Sequence, residues 1–310
     1  MYLFGVDIGG TTIKIGLIKE EDNQIIEKFE IKTNRDNNGT AILPDVRDAI
    51  YEAIERNKLS KADIKGIGFG VPGPVSNDIV HKCINLGWGY VDVSKEFKAL
   101  LDFDTNVSCG NDANCAALGE MYCGNDGDLS SAVMFTLGTG VGGGIIINGK
   151  PIDGFNGAGG ELGHMHVDSV HNYECNCGLK GCLETVASAT GVVRLAKEYL
   201  PSSNSSLKEL TEITCKDVFD AAKSGDELGL KVVDELGYYI GLAASYLAIV
   251  VDPEAFIIGG GVSKAGQILI DSISKHYANF AFHSVKNTSF ILASLGNDGG
   301  MLGAALLAKK

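Results

Sequence analysis

From Tyr2 to Leu17 the chain reads as two apolar runs around a polar break: Tyr2-Leu-Phe-Gly-Val-Asp7-Ile, then Ile13, Ile15 and Leu17 in alternation, with Gly9-Gly10-Thr11-Thr12 between them. Strand side chains point alternately to opposite faces, so period two on both sides of a glycine turn predicts a β-hairpin. The plan recurs from Ser131 to Ile147, where Gly138-Thr139-Gly140 and then Gly142-Gly143-Gly144 interrupt the apolar run. A third short strand, ending in Ile257-Ile258, follows the turn Asp252-Pro253-Glu254 and runs into Gly259-Gly260-Gly261 and Ser263. Between these breaks, apolar residues at helical spacing predict helices over 43–58, 93–101, 114–122, 187–199, 217–224, 226–251 and 300–310. The stretch 226–251 ends too apolar for a surface helix and is assigned to a core. The serine-rich residues 201–207 read as a loop between helices.

A glycine turn inside a hairpin differs from a dinucleotide fingerprint or a P-loop, in which the glycines lead from strand into helix. It can still hold phosphate with its backbone N–H groups and the hydroxyls of Thr11 and Thr12. Asp7, at the end of the first strand, is placed to hold Mg2+ through water. Two such hairpins, each opening one half of the chain, point to a duplicated domain with a nucleotide between the halves. The missing Cβ atoms of Gly259, Gly260 and Gly261 would let a flat ring approach the backbone, an adenosine platform that is compatible with a plain turn capped by Ser263.

The densest chemistry lies between Glu161 and Glu184. Cys175, Cys177 and Cys182 with His164 upstream offer three thiolates and one imidazole, the closed shell of structural Zn2+. His166 also precedes the cysteines at a usable distance, and spacing alone does not choose between the two histidines. A metal that fixes this backbone also fixes the direction of Glu161 and Glu184. Cys83, Cys109, Cys115, Cys123 and Cys215 lack paired spacing and read as free thiols. In Gly110-Asn111-Asp112-Ala113-Asn114, Asp112 stands at the start of a helix, where it is either a cap or a reactive carboxylate. Asn111, Asp112, Glu161, His164 and Glu184 bring many acceptors and few cations, a set suited to a neutral polyhydroxylated ligand. Trp88 fits either a core or a ligand contact, and Lys14 either reaches phosphate or is solvated.

At 310 residues and 45% hydrophobic the chain has material for two domains. Its formal charge of -13 argues against nucleic acid or an anionic membrane as partner. The longest apolar stretch, Leu242 to Val251, falls short of the roughly 20 residues of a membrane span, and Asp7 interrupts the start before a signal-peptide core could form. A cytoplasmic protein is expected.

The series Asp7-Ile-Gly-Gly-Thr11, Gly70-Val-Pro-Gly73-Pro, Asn85-Leu-Gly-Trp88, Asn111-Asp-Ala-Asn114, Leu137-Gly-Thr-Gly140, Glu161-Leu-Gly-His164 and Cys175-Asn-Cys-Gly-Leu-Lys-Gly-Cys-Leu-Glu184 resembles the signature of the ROK family of sugar kinases and repressors. The resemblance implies an α/β, duplicated actin-like, hexokinase-type (ribonuclease H-like) fold of two lobes with ATP and sugar in the cleft. The small lobe would be residues 1–109, joined by the C-terminal helix 297–310, and the large lobe 110–296 with the zinc loop. It also implies roles. Asp112 would be the general base; Gly73, Asn111, Glu161, His164 and Glu184 would bind the sugar; Asp7, Gly9, Gly10, Thr11, Thr12, Thr139, Gly140, Gly259, Gly260 and Gly261 would bind ATP; His164, Cys175, Cys177 and Cys182 would bind zinc. The expected partners are a hexose and ATP with Mg2+, in a homodimer. The likeness at Asn85 to Trp88 and from Cys175 onward favours glucose, with fructose, mannose, allose and N-acetylated amino sugars as alternatives. A sugar-sensing repressor of the same family would carry a DNA-binding helix-turn-helix ahead of the first phosphate turn, where only six residues precede Asp7.

Overall fold

The computed structural model describes residues 1–124 and 129–309. Strands β1 (Tyr2–Ile8), β2 (Thr12–Lys19) and β3 (Ile25–Lys32) are followed by the short turn α1 (Asp36–Gly39), helix α2 (Ile42–Arg56) and strand β4 (Ile64–Val71). Next come the small strands β5 (Val75–Ser76), β6 (Ile79–Val80) and β7 (Val91–Asp92), then α3 (Val93–Leu100), β8 (Asn106–Asn111) and α4 (Asp112–Cys123). The second hairpin is β9 (Ala132–Leu137) and β10 (Val141–Ile147), extended by β11 (Lys150–Pro151). After it run α5 (Leu183–Ala187), α6 (Ala189–Tyr199), α7 (Cys215–Lys223), α8 (Glu227–Val251), β12 (Ala255–Gly259), α9 (Gln267–Phe280), β13 (Ser289–Leu292) and α10 (Gly299–Leu307).

The two five-stranded sheets repeat one strand order, β3-β2-β1-β4-β8 and β11-β10-β9-β12-β13. In the first, β1 pairs antiparallel with β2 and parallel with β4, which pairs parallel with β8. In the second, β12 pairs parallel with both β9 and β13. The duplication read from the glycine hairpins is thus carried through whole sheets. β3, β4, β8, β13 and α9 were not singled out by the sequence pattern.

The chain divides into two compact units, the first comprising Met1–Asp128, Gly144–Gly160 and Leu295–Lys310, the second Leu129–Gly143 and Glu161–Ser294. A division at residue 109 would cut α4 away from the first unit, where it packs against α10. Residues 125–128 and Lys310, which belong to the segments expected in the large lobe and the C-terminal helix, lie outside the described residues.

The first unit's core joins Phe4, Val6 and Ile8 of β1 with Ile42, Val46 and Ile50 of α2 and Phe69 of β4. On the other face of the sheet α10 lies so close that side chains are excluded. A Cβ at Gly68 would fall 1.7 Å from the Ala304 carbonyl oxygen, and one at Gly303 1.7 Å from that of Cys115 in α4. Backbone cannot yield by that much, so Gly303→Ala is expected to destabilise the protein by at least about 2 kcal/mol in denaturant unfolding.

In the second unit α8 is long and apolar enough to cross a membrane by length and composition. Two-thirds of its most apolar window is buried within the protein, however, as a core helix would be. Its first turn is held by Asp226, whose Oδ1 accepts from the amides of Leu228 (3.0 Å) and Gly229 (3.1 Å) and whose Oδ2 accepts from the Ser205 hydroxyl and from Ser206. Burial works against this carboxylate, but the hydrogen bonds outweigh it and hold its pKa down at about 2. A depressed folded-state pKa stabilises above the unfolded value and is lost as pH falls through the folded one. Asp226→Ala should therefore cost about 1–2 kcal/mol at neutral pH, with the gap to wild type closing as pH falls from about 4 towards 2.

Candidate active site

In the first unit, parallel pairing brings three chain segments to one end of the sheet. Asp7 of β1 lies beside Gly70 of β4, and Val71 beside Asn111 of β8. The carboxyl ends of parallel strands are where ligands bind in open α/β sheets. Two residues past β4, the carbonyl of Gly73 accepts from Asn111 Nδ2 at 3.0 Å. Gly73 has φ +105°, and a Cβ there would lie 2.8 Å from the Lys82 carbonyl oxygen, so only glycine fits.

Asn111, rather than Asp112, caps α4. Its Oδ1 accepts from the amides of Ala113 (2.9 Å) and Asn114 (3.1 Å). Asp112 is the first helical residue, with Oδ1 accepting from Ala113 N at 2.8 Å, where the helix dipole favours an ionised carboxylate. Asn114, almost fully buried, donates to Asp153 at 3.0 Å.

The first glycine turn is closed by Gly9 N donating to the Thr12 carbonyl at 3.0 Å. It is latched from outside by Thr33, whose hydroxyl donates to the Gly9 carbonyl at 2.7 Å and whose amide donates to that of Thr11 at 3.0 Å. Thr33 also lines a cavity of about 700 Å³ with Lys32, Asn34, Arg35, Asn85 and Gly87. The sequence pattern did not single Thr33 out; its only signal is a threonine at the end of the alternating run Ile25–Lys32. Burial raises the Asp7 pKa, partly offset by Lys14, whose ammonium lies 3.8 Å away. Lys14 is therefore a partner of Asp7. The first turn of α10 also reaches this carboxylate, since a Cβ on Gly300 would sit 3.2 Å from it. Trp88 is core: it is 5% exposed and its indole N–H donates to the Gly39 carbonyl at 3.1 Å.

In the second unit the other two glycine clusters end the parallel neighbours β9 and β12, with Gly259 beside Thr136. The Gly138–Gly140 turn closes on itself through Gly138 N to the Gly140 carbonyl at 2.9 Å. It is anchored by Ala189 N donating to Gly138 O at 2.8 Å and by the Thr190 hydroxyl donating to Thr139 O. Ala189, Gly261 and Lys264, with Thr214, Cys215 and Phe219 of the α7 region, line a mostly apolar cavity of about 480 Å³. This cavity borders the third glycine cluster at Gly261 and, through Ala189, the residue that anchors the Gly138–Gly140 turn. Gly260 needs its φ of +83°, since a Cβ would meet the Leu137 backbone at 2.4 Å.

Glu184 serves the same turn. Its Oε2 accepts from Val141 N at 3.0 Å, and Gly140 is glycine because a Cβ would stand 2.2 Å from that oxygen. Its Oε1 lies 3.8 Å from Cys175 Sγ. Glu161 is exposed at the start of the short turn Leu162–His164, with its carbonyl accepting from His164 N at 3.1 Å. The donor atoms of His164, Cys175, Cys177 and Cys182 all lie within 4.8 Å of one another, with His164 Nδ1 3.7 Å from Cys175 Sγ and Cys177 Sγ 3.6 Å from Cys182 Sγ. His166 is turned elsewhere, its Nδ1 2.9 Å from the Lys180 carbonyl oxygen. Burial and the neighbouring thiols push Cys182 up to about 12, while the Leu179 amide pulls exposed Cys177 down.

The chain thus combines two α/β units of one strand order, glycine turns at their strand ends and a Cys3His cluster. The ROK family profile matches residues 3–310. Glucokinases from Halalkalibacterium halodurans and Thermotoga maritima are 41% and 34% identical, each aligning over 99% of this chain and 94% and 97% of their own length. Among solved structures, a ROK family glucokinase from Streptomyces griseus in complex with glucose and AMPPNP is 31% identical, with TM-score 0.74 and coverage of 100% of this chain and 99% of its own. The ROK hexokinase of Thermus thermophilus is 26% identical, with TM-score 0.82 and coverage of 99% and 98%. The chain belongs to the ROK family, and its fold is the duplicated actin-like, hexokinase-type α/β fold of the ROK sugar kinases.

Proposed function

We propose that the protein is an ATP-dependent hexokinase that converts glucose to glucose 6-phosphate. The observation that carries this reading is similarity to glucokinases over 99% of the chain, at 41% and 34% identity. Asp112 is the general base that takes the proton of the attacking sugar hydroxyl. Gly73, Asn111, Glu161, His164 and Glu184 bind the sugar. Gly9, Gly10, Thr11, Thr12, Thr139 and Gly140 cradle phosphates, and the adenosine lies against Gly259, Gly260 and Gly261. The mostly apolar cavity bordering Gly261 supports this last assignment. Asp7 would hold Mg2+, which would supply charge neutralisation at the phosphates. With so little covalent work required, positioning and one base suffice.

His164, Cys175, Cys177 and Cys182 hold a structural zinc ion. The fit is chemical as well as geometric: thiolates bound to one ion at about 2.3 Å stand roughly 3.8 Å apart in a tetrahedron, close to the spacings above. We place the enzyme in the cytoplasm as a homodimer, which light scattering on the purified protein tests.

A coupled assay over a sugar panel tests the substrate. Glucose should exceed fructose, mannose, allose and N-acetylglucosamine in kcat/KM by about tenfold or more. Equal values for fructose and glucose would withdraw glucose as the substrate.

A further inference from the structure

Glu161, His164 and Glu184 hang on a loop with little regular structure. Between the turn Leu162–His164 and α5 its strand-like pairings are the isolated bridges His166 to Cys182 and Glu174 to Lys180. The four metal donors gather one part of this loop. Another part is gathered by a buried polar cluster that plays no role in the chemistry above.

Asp168 is 0% exposed. Its Oδ1 accepts from the amides of Val170 (2.9 Å) and His171 (3.0 Å) and from the Tyr239 hydroxyl (3.1 Å), and its Oδ2 from the amide of Asn172 (3.1 Å). A carboxylate is tolerated at such depth only when donors meet it on all sides, and here they bend residues 168–172 into a turn tied to α8. That turn delivers His171, whose side chain is 7% exposed, onto Glu235 of α8, with Nε2 2.5 Å from Oε1. Glu198 of α6 lies 3.7 Å from Nδ1. The imidazole stacks on Tyr173, with centroids 5.0 Å apart and planes within 10°. The Tyr173 hydroxyl donates to Glu198, and the Tyr199 hydroxyl donates to the second oxygen of Glu235 at 2.9 Å.

Arg194 of α6 links this cluster to the other end of the loop. Its guanidinium lies 4.8 Å from the Tyr173 ring centroid and donates to the carbonyl of Thr185, the residue after Glu184, at 2.7 Å. The cluster therefore grips the chain just before Cys175 and just after Glu184.

We propose that His171, with Glu235 and Arg194, positions His164 and Glu184 for the hexose by fixing both ends of the metal loop to α6 and α8. These are positioning residues; they act through the loop and touch no substrate. The inference rests on the assignment of His164 and Glu184 to sugar and metal. If the assignment is wrong, the wild-type protein itself fails, by lacking zinc or glucose phosphorylation, before any variant is compared.

The test uses the zinc-loaded full chain. His171→Phe keeps the stacking on Tyr173 and removes the hydrogen bond to Glu235, Glu235→Gln keeps a hydrogen-bonding group there, and Arg194→Gln cuts the link to Thr185 outside the buried pair. His171→Phe and Arg194→Gln should each raise the glucose KM and the rate of zinc release to a chromophoric chelator about tenfold, with the ATP KM within about twofold of wild type. Glu235→Gln should stay close to wild type in both readouts. Unchanged glucose KM and zinc release in folded His171→Phe and Arg194→Gln would overturn the proposal. So would parallel losses in glucose KM, ATP KM and melting temperature, which mark a merely structural role. Should His171→Phe fail to fold, Arg194→Gln alone decides by the same readouts.

Discussion

Asp112→Asn is expected to lower kcat for glucose by about 10²–10⁴-fold while leaving the fold and the glucose KM nearly unchanged. That range corresponds to about 3–5 kcal/mol of lost transition-state stabilisation. The fold should survive because Asp112 is not the cap of α4; Asn111 accepts from Ala113 N and Asn114 N. One bond that Asp112 makes, its Oδ1 accepting from Ala113 N at 2.8 Å, is one an asparagine side-chain oxygen of the same shape can keep. What the amide cannot do is take a proton. Asn111→Ala makes the contrast, since it removes both the cap and the donation to the Gly73 carbonyl. It should cost about 1 kcal/mol of stability and raise the glucose KM. Steady-state kinetics with thermal unfolding separate the two patterns, and near-normal turnover in Asp112→Asn would remove this residue from the role of base.

The contrast between Asn111 and Asp112 shows what the sequence left open. Either could cap the helix, and the choice depends on Gly73, brought alongside by the pairing of β4 with β8. Period-two alternation made the glycine hairpins legible, and helical spacing made α2, α3 and α8 legible, because those signals are local. β4 was not, since Gly66, Gly68 and Gly70 look like turn material unless α10, from the far end of the chain, is known to lie against two of them. α9 carried Leu269, Ile270, Ile273 and Tyr277 at helical spacing and could have been found. Within the site, spacing did not separate His164 from His166; His166 is bridged antiparallel to Cys182, with its ring toward the Lys180 carbonyl. The grip of Glu184 on Val141 N was illegible, because it joins residues from separate elements.

That grip sets the size of the effect expected from the metal. Glu184 holds the Val141 amide with one oxygen and stands beside Cys175 with the other, so the Cys3His cluster and the second glycine turn meet on one carboxylate. Elemental analysis of carefully purified protein should find about one zinc per chain. Cys175→Ser should abolish stoichiometric zinc and lower kcat/KM for glucose by about 10²-fold or more, beyond the roughly 10–100-fold typical of outer-shell changes, because a direct ligand is lost. Global unfolding should respond far less. Small zinc domains unfold without metal because the ion supplies their folding free energy. Here Val133, Phe135, Phe256 and Ile258 of β9 and β12 and Leu236 and Ile240 of α8 are fully buried without help from the metal loop's cysteines, and Asp168 still binds its turn to Tyr239. Chelation should therefore melt the loop, seen as rapid amide exchange over residues 164–184, and leave the transition of the second unit within a few degrees of the zinc-bound protein. Zinc below about a tenth of an equivalent in active enzyme would show that the acids are held without it.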